Sequence, residues 1–189
     1  MQALPPSLST FIAILNVVAA VISAYLAYLA HKARKLGFPG MSYVCSSFFL
    51  LAISFLASTL LVFQLSAPPH APPRIWLPKI AQNKIFIVIQ LLFTLSYLLL
   101  AVKATSPTER VFSFSLLILP PAAVMLYVAL MSMRSASRVA VYSYLGLAVS
   151  HILTFSAIVT ARPWLLIMGE MLRPLSLLPL VTVLKVKEE

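Results

Sequence analysis

The residues of this chain that could do chemistry lie near its carboxyl end, in an otherwise apolar setting. Glu170 and Arg173 are three positions apart, so they share one face of a helix and can form an ion pair. His151 lies in the preceding apolar stretch, and histidine can change its charge near neutral pH. Together these groups could bind a polar ligand or respond to protons. The alternative is a polar clamp that only holds two helices together.

A tight turn before Pro163 sets the depth of these side chains. Glu170 follows Arg162 by about 12 Å on a helix that rises 1.5 Å per residue. Arg173 and His151 each lie about 16 Å from the same turn, on the two adjoining helices. We therefore predict one polar layer between these helices, in which serine and threonine hydroxyls extend the hydrogen bonding. The predicted intramembrane polar cluster comprises His151, Glu170, Arg173, Ser150 and Thr154.

Six apolar stretches carry these residues and take up most of the 189-residue chain. Hydrophobic residues make up 61% and charged residues 10% of it, a balance that soluble domains do not show. A helix needs about 20 apolar residues to cross a bilayer. We predict an all-α, multi-pass helical bundle in the cell membrane, with residues 1–189 forming a single integral membrane domain. The six predicted transmembrane helices cover about 10–31, 41–65, 85–102, 111–133, 139–161 and 163–186.

The two halves of the chain share short motifs. Three crossings in each half would place the halves in opposite orientations, as an inverted 3+3 repeat of the kind found in transporters. The alternative is an old duplication without a transport role. The matching segments are Tyr25–Ala27 with Tyr127–Ala129, and Ser42–Tyr43 with Ser143–Tyr144.

Charge does not decide the orientation of a six-span chain. Its basic residues would divide almost equally between the two sides, which gives no bias under the positive-inside rule. The cluster of Lys32, Arg34 and Lys35 favours an outside amino terminus. A third stretch that does not cross would place both repeat-like basic loops inside and reduce the count to five.

Two successive prolines, Pro120 and Pro121, lie in the middle of the fourth stretch. They remove two N–H donors and their rings clash with the preceding turn, so the helix should kink or break there. A break near buried charges is a feature that a gate or a ligand cavity would use. Helix packing is the alternative explanation. Asn16, in the first stretch, is expected to hydrogen-bond between helices.

The residues that most enzymes need are missing from the sequence. It has four acidic residues and no phosphate-binding loop, dinucleotide fingerprint or HExxH motif. A single cysteine, Cys45, excludes an internal disulfide and a paired-cysteine metal site. We predict no enzyme activity, no metal and no cofactor. The net charge of +10 is assigned to anchoring at anionic headgroups rather than to nucleic-acid binding.

Two regions carry a resemblance to known proteins. YLAYLAHKARK at 25–35 precedes a serine- and leucine-rich stretch, and LAVSHIL at 147–153 precedes GEMLRPLSLLPLV at 169–181. These segments resemble the membrane portions of small archaeal multi-helix proteins and the membrane sensor segments of archaeal histidine kinases. The resemblance implies a helical bundle in the cell membrane with a sensing or accessory role. It carries over no functional residues, and it implies a separate output protein because no kinase domain follows Glu189.

We therefore expect a non-enzymatic accessory or sensor-like membrane subunit. Its expected partners are the lipid bilayer and either another membrane protein or a separately encoded output protein. The first alternative is a small transporter or channel that uses the intramembrane polar cluster. The second is a haem-bearing electron-transfer subunit, which would need two axial ligands at matched depth. His31 and His70 lie at a span edge and in a loop, so His151 has no evident histidine partner.

Overall fold

The computed structural model describes residues 6–38, 40–64, 84–104, 121–133, 137–160 and 162–185. Every regular element within these ranges is an α-helix, which confirms the all-α prediction. The helices are α1 (Pro6–Lys35), α2 (Met41–Gln64), α3 (Lys84–Ala104), α4 (Pro121–Ser132), α5 (Arg138–Thr160) and α6 (Pro163–Lys185).

Among the described residues, five helices are long and apolar enough to cross a bilayer, namely α1, α2, α3, α5 and α6. This supports the prediction of a multi-pass membrane protein. Helix α4 has 12 residues and is therefore about 18 Å long, which is shorter than the ~30 Å hydrocarbon layer. The predicted count of six spans is therefore not confirmed.

Local sequence explains where the helices begin and end. Helix α1 ends at Lys35, and the turn into α2 uses Gly37 and Gly40 at φ 88° and 77°, values that favour glycine. Basic residues in the last turn of α1 interact favourably with the carboxyl end of its dipole. Pro163 opens α6, in the first turn, where a missing N–H is tolerated. Pro121 is the first described residue of α4, and Pro120, the other residue of the predicted helix break, lies outside the described residues.

The six helices form a closed ring in chain order. Each helix packs against the next, and α6 packs against α1. The largest side chains buried inside the ring are aromatic, including Tyr97, Phe48, Phe55 and Phe93. Large apolar side chains such as Tyr142 and Phe155 are exposed on the outside, where acyl chains would surround them.

One end of the ring, here called the basic end, can be identified from contacts between helices. Met41, Lys103, Ser137 and Leu184 line the same cavity there, and the Lys103 side chain lies over Gly40. Helices α2 and α5 therefore begin at the basic end, whereas α1, α3 and α6 end there. Ser132 lines the same cavity, so α4 also ends at the basic end.

The two halves consequently have the same orientation. Helices α1 and α4 run in one direction, as do α2 with α5 and α3 with α6. The predicted inverted repeat is therefore not confirmed, because the matched segments lie the same way up. The physical reason is that α4 returns to the end where α3 finishes. Residues 105–120, which connect these two helices, lie outside the described ranges.

This arrangement changes the distribution of charge. With α4 ending at the basic end, the described basic residues near the helix ends are unevenly divided, contrary to the expectation for six spans. The predicted alternative of five spans relied on a third stretch that does not cross, but α3 is long enough to cross and α4 is not. Lys32, Arg34, Lys35, Lys103, Arg138 and Lys185 lie at the basic end, and Lys84 and Arg162 lie at the opposite end.

Candidate intramembrane polar site

Arg173 of α6 is the centre of the buried polar site. Its side chain is 3% exposed, and Nη1 donates a hydrogen bond to Glu170 Oε2 at 2.7 Å. Nη2 donates to Thr154 Oγ1 of α5 at 3.3 Å. The structure thus brings together three of the five residues of the predicted cluster. The ion pair lies within one helix face, and the threonine connects it to the neighbouring helix.

Two phenylalanine rings lie against the guanidinium group. Its central carbon is 5.4 Å from the centre of the Phe93 ring and 5.9 Å from that of Phe55. The two rings meet edge to face at 5.2 Å. A cation over an aromatic face contributes about 2 kcal/mol where water is excluded. Helices α2 and α3 therefore help to stabilise the buried charge.

Asn16 brings α1 to the site, as expected for an interhelical hydrogen-bonding group. Its side chain is 2% exposed and hydrogen-bonds the Glu170 carboxylate. An ionised carboxylate only accepts hydrogen bonds, so the amide nitrogen is the donor. Asn16 Oδ1 and Arg173 Nε are buried without a hydrogen-bond partner in the structure. The site therefore includes one acceptor and one donor available to a small polar group.

His151 contacts α3 more directly than it contacts the ion pair. Its Nε2 and the Tyr97 hydroxyl are hydrogen-bonded at 2.7 Å, and both residues are buried. The imidazole also packs edge to face against Phe93, with the ring centres 5.1 Å apart. Since Phe93 lies against both His151 and Arg173, it joins the two polar groups through an aromatic contact.

Ser150 does not extend the network between helices as predicted. Its hydroxyl donates to Leu147 O within α5 at 2.7 Å, and its own carbonyl accepts a bond from the Thr154 hydroxyl at 3.0 Å. A short hydroxyl side chain in a helix often bonds the backbone of the preceding turn. The Ser150 hydroxyl therefore bonds within α5, whereas the Thr154 hydroxyl bonds both α5 and Arg173 of α6.

Gly169 allows the close approach of α5 and α6 at this depth. A Cβ atom at this position would lie 2.8 Å from Thr154 Oγ1 and 2.9 Å from Ser150 O. Small residues let helix backbones come close in membranes. Pro174, inside α6, lacks the N–H that would bond the Glu170 carbonyl. Both features lie beside the ion pair and determine how it meets α5.

The donor set limits the chemistry that the site can perform. Within the described ranges, no group of three or more His, Cys, Asp or Glu residues could hold a metal ion. Nε2 of the His151 ring is hydrogen-bonded to the Tyr97 hydroxyl. His70 lies outside the described residues. The geometry is that of an enclosed ion pair surrounded by aromatic rings and hydroxyl groups.

Sequence reasoning missed the aromatic half of the site. Phe93 and Tyr97 are four positions apart on α3, which places them on one helix face. In an almost wholly apolar helix, however, nothing distinguishes that face from the others. Phe55 gave no signal at all. Aromatic residues are common in the core, and only the packing shows that these three surround charged and polar groups.

A separate cavity of about 340 Å³ opens at the basic end. It lies between α2, α3, α4, α5 and α6, and was not predicted. Its polar lining residues are Lys103, Ser132, Ser137 and Tyr144, and its remaining walls are apolar.

Comparisons of the chain with protein-family models, with curated proteins and with solved structures find no match.

Proposed function

We propose that this chain is a non-enzymatic membrane subunit with an accessory or sensor-like role, acting in the cell membrane through a separate partner protein. The position of Arg173 is the observation that carries the proposal. Its guanidinium contacts α2 and α3 through phenylalanine rings and α5 through Thr154. Glu170 extends the same group to α1 through Asn16. One buried charge thus links five helices.

Such a link couples the movements of the helices. A helix that shifts alone separates the guanidinium from Thr154, Phe55 or Phe93, and a cation–ring contact without water contributes about 2 kcal/mol, so such a shift is unfavourable. The helices then move together or change between two complete arrangements, as sensors require. The resemblance to the membrane segments of archaeal histidine kinases favours the same role.

The charge distribution supports placing the basic end in the cytoplasm, under the positive-inside rule. Helix α1 then begins outside and α6 ends inside, next to a cytoplasmic output protein. Single cysteines can test this in a Cys45→Ser background, with Arg162→Cys at one end and Lys35→Cys at the other. A membrane-impermeant maleimide should label the first in intact cells and the second only after permeabilisation. The reverse pattern would overturn the orientation.

Purification in mild detergent from the native membrane tests the proposed partnership. We expect a second protein to co-purify at a fixed ratio with the tagged chain. Arg173→Gln should weaken that association, whereas Ser54→Ala, which removes only a hydroxyl bonded within α2, should leave it unchanged. Strictly monomeric particles with no second protein would refute the proposal.

A small transporter is the second candidate, favoured by the short helix α4. The described helix, Pro121–Ser132, has 12 residues and is shorter than a full crossing. Solute flux into liposomes distinguishes the two functions. The accessory role predicts no flux above that of empty liposomes. Flux that is lost in Glu170→Gln and His151→Ala would instead identify a transporter that uses the polar cluster.

A further inference from the structure

The cavity at the basic end extends from the helix ends into the bundle. Along α2 its wall runs from Met41 to Phe48, a depth of about 10 Å at the helical rise of 1.5 Å per residue. Leu180 lines its inner part from α6, and Leu100 from α3. Its volume of about 340 Å³ falls at the small end of the range for small-molecule sites, roughly 300–1,000 Å³.

Three of the four polar lining residues lie near the helix ends, and the fourth, Tyr144, lies further along α5. Lys103 and Ser137 lie near the helix ends, and Ser132 lies at the last residue of α4. The Lys103 side chain lies close to the α1–α2 turn. A Cβ atom added to Gly40 would lie 2.7 Å from Lys103 Cδ and 2.9 Å from Nζ. The positive φ of Gly40 makes this position one where glycine is favoured. The Lys103 side chain therefore packs against the α1–α2 turn and also lines the cavity.

We propose that this cavity binds a single-chain anionic amphiphile, a fatty-acid type of molecule with a carboxylate head. The carboxylate lies at Lys103, where the Ser132 and Ser137 hydroxyls can also donate hydrogen bonds, and the alkyl chain extends toward Phe48 and Leu180. This ligand matches the pocket in both respects, because it combines one negative charge with one narrow apolar tail. The site would give the proposed sensor-like subunit its ligand.

The geometry disfavours two other occupants. A phospholipid has two acyl chains, and a pocket of about 340 Å³ has little room beyond one. The basic residues of this end attract anions in general, but a small inorganic anion would leave the apolar walls uncovered. A third possibility is that the chain's own residues outside the described ranges fill the pocket. Decanoate would then not bind saturably to the wild-type protein.

Calorimetric titration of the purified full chain in phosphatidylcholine nanodiscs tests the proposal, with empty nanodiscs subtracted. Decanoate should bind saturably to the wild-type protein, and decanol, which has the same tail without the charge, should bind about tenfold more weakly. Lys103→Gln should weaken decanoate binding about tenfold for the same reason. Lys185→Gln is the matched control, since this lysine lies at the same end without lining the cavity, and it should leave the affinity unchanged.

A second variant tests the apolar part of the site. Ala140→Phe places a ring in the pocket that Ala140 lines and should abolish decanoate binding. Circular dichroism must show that this variant retains its helices; Lys103→Gln, at an exposed position, tests the site independently of that. Absence of saturable binding to the wild-type chain would overturn the proposal and show that the pocket is filled by the chain or too small.

Two further outcomes would also overturn it. Equal losses in Lys103→Gln and Lys185→Gln would mean that the charge of the whole end, and not the pocket, attracts decanoate. Displacement of decanoate by phosphatidylglycerol in the nanodisc would assign the site to a two-chain lipid. These titrations use the chain without a partner protein. A negative result would therefore overturn the fatty-acid site without bearing on the proposed partnership, which co-purification tests separately.

Discussion

Two helix pairs of the ring, α2–α3 and α5–α6, are both antiparallel but are joined by different chemistry. In α2–α3, the Ser47 hydroxyl donates to Ser96 O at 2.7 Å, and the Ser96 hydroxyl donates to Ser47 O at 2.8 Å. The two hydroxyls are themselves 3.2 Å apart. Each serine thus satisfies the other, and no charged group is involved.

The α5–α6 pair depends on close approach and on charge. A Cβ at Gly146 would overlap Ser176 Oγ, and one at Gly169 would overlap Thr154 and the Ser150 carbonyl. Between these helices lies the bond from Arg173 to Thr154. In a bilayer no hydrophobic driving force brings helices together, because lipid tails are as apolar as the side chains. Packing contacts and hydrogen bonds must therefore hold both pairs together. The comparison indicates that α5–α6 is the more vulnerable pair, because opening it deprives the buried Arg173 guanidinium of its Thr154 acceptor, whereas the α2–α3 pair involves no charged group.

The largest expected effect comes from Arg173→Met. The substitution leaves Glu170 buried without its cation, which should lower the free energy of unfolding by about 3–5 kcal/mol. Reversible unfolding in mixed micelles with a denaturing detergent measures this change. Such a loss would show that the ion pair within α6 stabilises the buried site at the α5–α6 contact.

The double variant Arg173→Met/Glu170→Leu is the control for that prediction. Replacing both partners of a buried ion pair with apolar residues is often neutral, so the double variant should be more stable than the single one. If it is less stable, the arginine contributes mainly through its contacts with Phe55 and Phe93, and the ion pair is not the main source of the effect.

Gly169→Ala should have the next largest effect, about 1–3 kcal/mol, because overpacking forces side chains or backbone to shift. The Ser150 carbonyl cannot give way as a side chain can. Gly146→Ala, in contrast, meets the Ser176 side chain and should be rescued by Ser176→Gly. Melting temperatures of the two single variants, of Gly146→Ala/Ser176→Gly and of Gly169→Ala/Thr154→Ala measure these effects. Recovery of stability in Gly169→Ala/Thr154→Ala would argue against a clash with the backbone at Gly169.

Tyr97→Phe tests the bond that joins the two halves of the ring. Removing the hydroxyl leaves His151 Nε2 without its described partner, at a cost of about 1–2 kcal/mol for a buried polar atom. Tyr142→Phe is the matched control, since Tyr142 is 69% exposed. Equal melting temperatures for the two variants would show that the histidine finds another partner.

Ser47→Ala should have the smallest effect, about 0.6 kcal/mol, the average for hydrogen bonds between membrane helices. The Ser96 carbonyl that loses its extra donor lies within α3, so it keeps its bond along the helix. Ser54→Ala removes a hydroxyl that bonds only its own helix at Leu50 and supplies the baseline. An effect of Ser47→Ala above that of Gly169→Ala would reverse the comparison between the pairs.

The local features of this fold could be predicted from the sequence. Apolar stretches of sufficient length correspond to α1, α2, α3, α5 and α6. The ion pair was predictable because Glu170 and Arg173 are three positions apart on a helix. The short turn before Pro163 predicted the depth at which α6 meets Thr154. Each of these inferences needs only helical spacing and a turn length.

The direction of α4 and the partner of His151 could not be predicted in this way. A stretch at 111–133 is long enough for one crossing, and only contacts with α2 and α3 show that Ser132 lies at the basic end. Tyr97 meets His151 because α3 is rotated so that this face points into the ring. Rotation and order of helices depend on all their neighbours at once, and nearly uniform apolar faces leave no pattern to read.

The shared direction of the two halves has a consequence for how the molecule can move. An inverted repeat possesses an axis in the membrane plane that exchanges the two faces, so its inward-open and outward-open shapes are counterparts. Halves that lie the same way up have no such axis. The basic end and the opposite end of this bundle are then built differently, so any rearrangement would present different surfaces at the two ends.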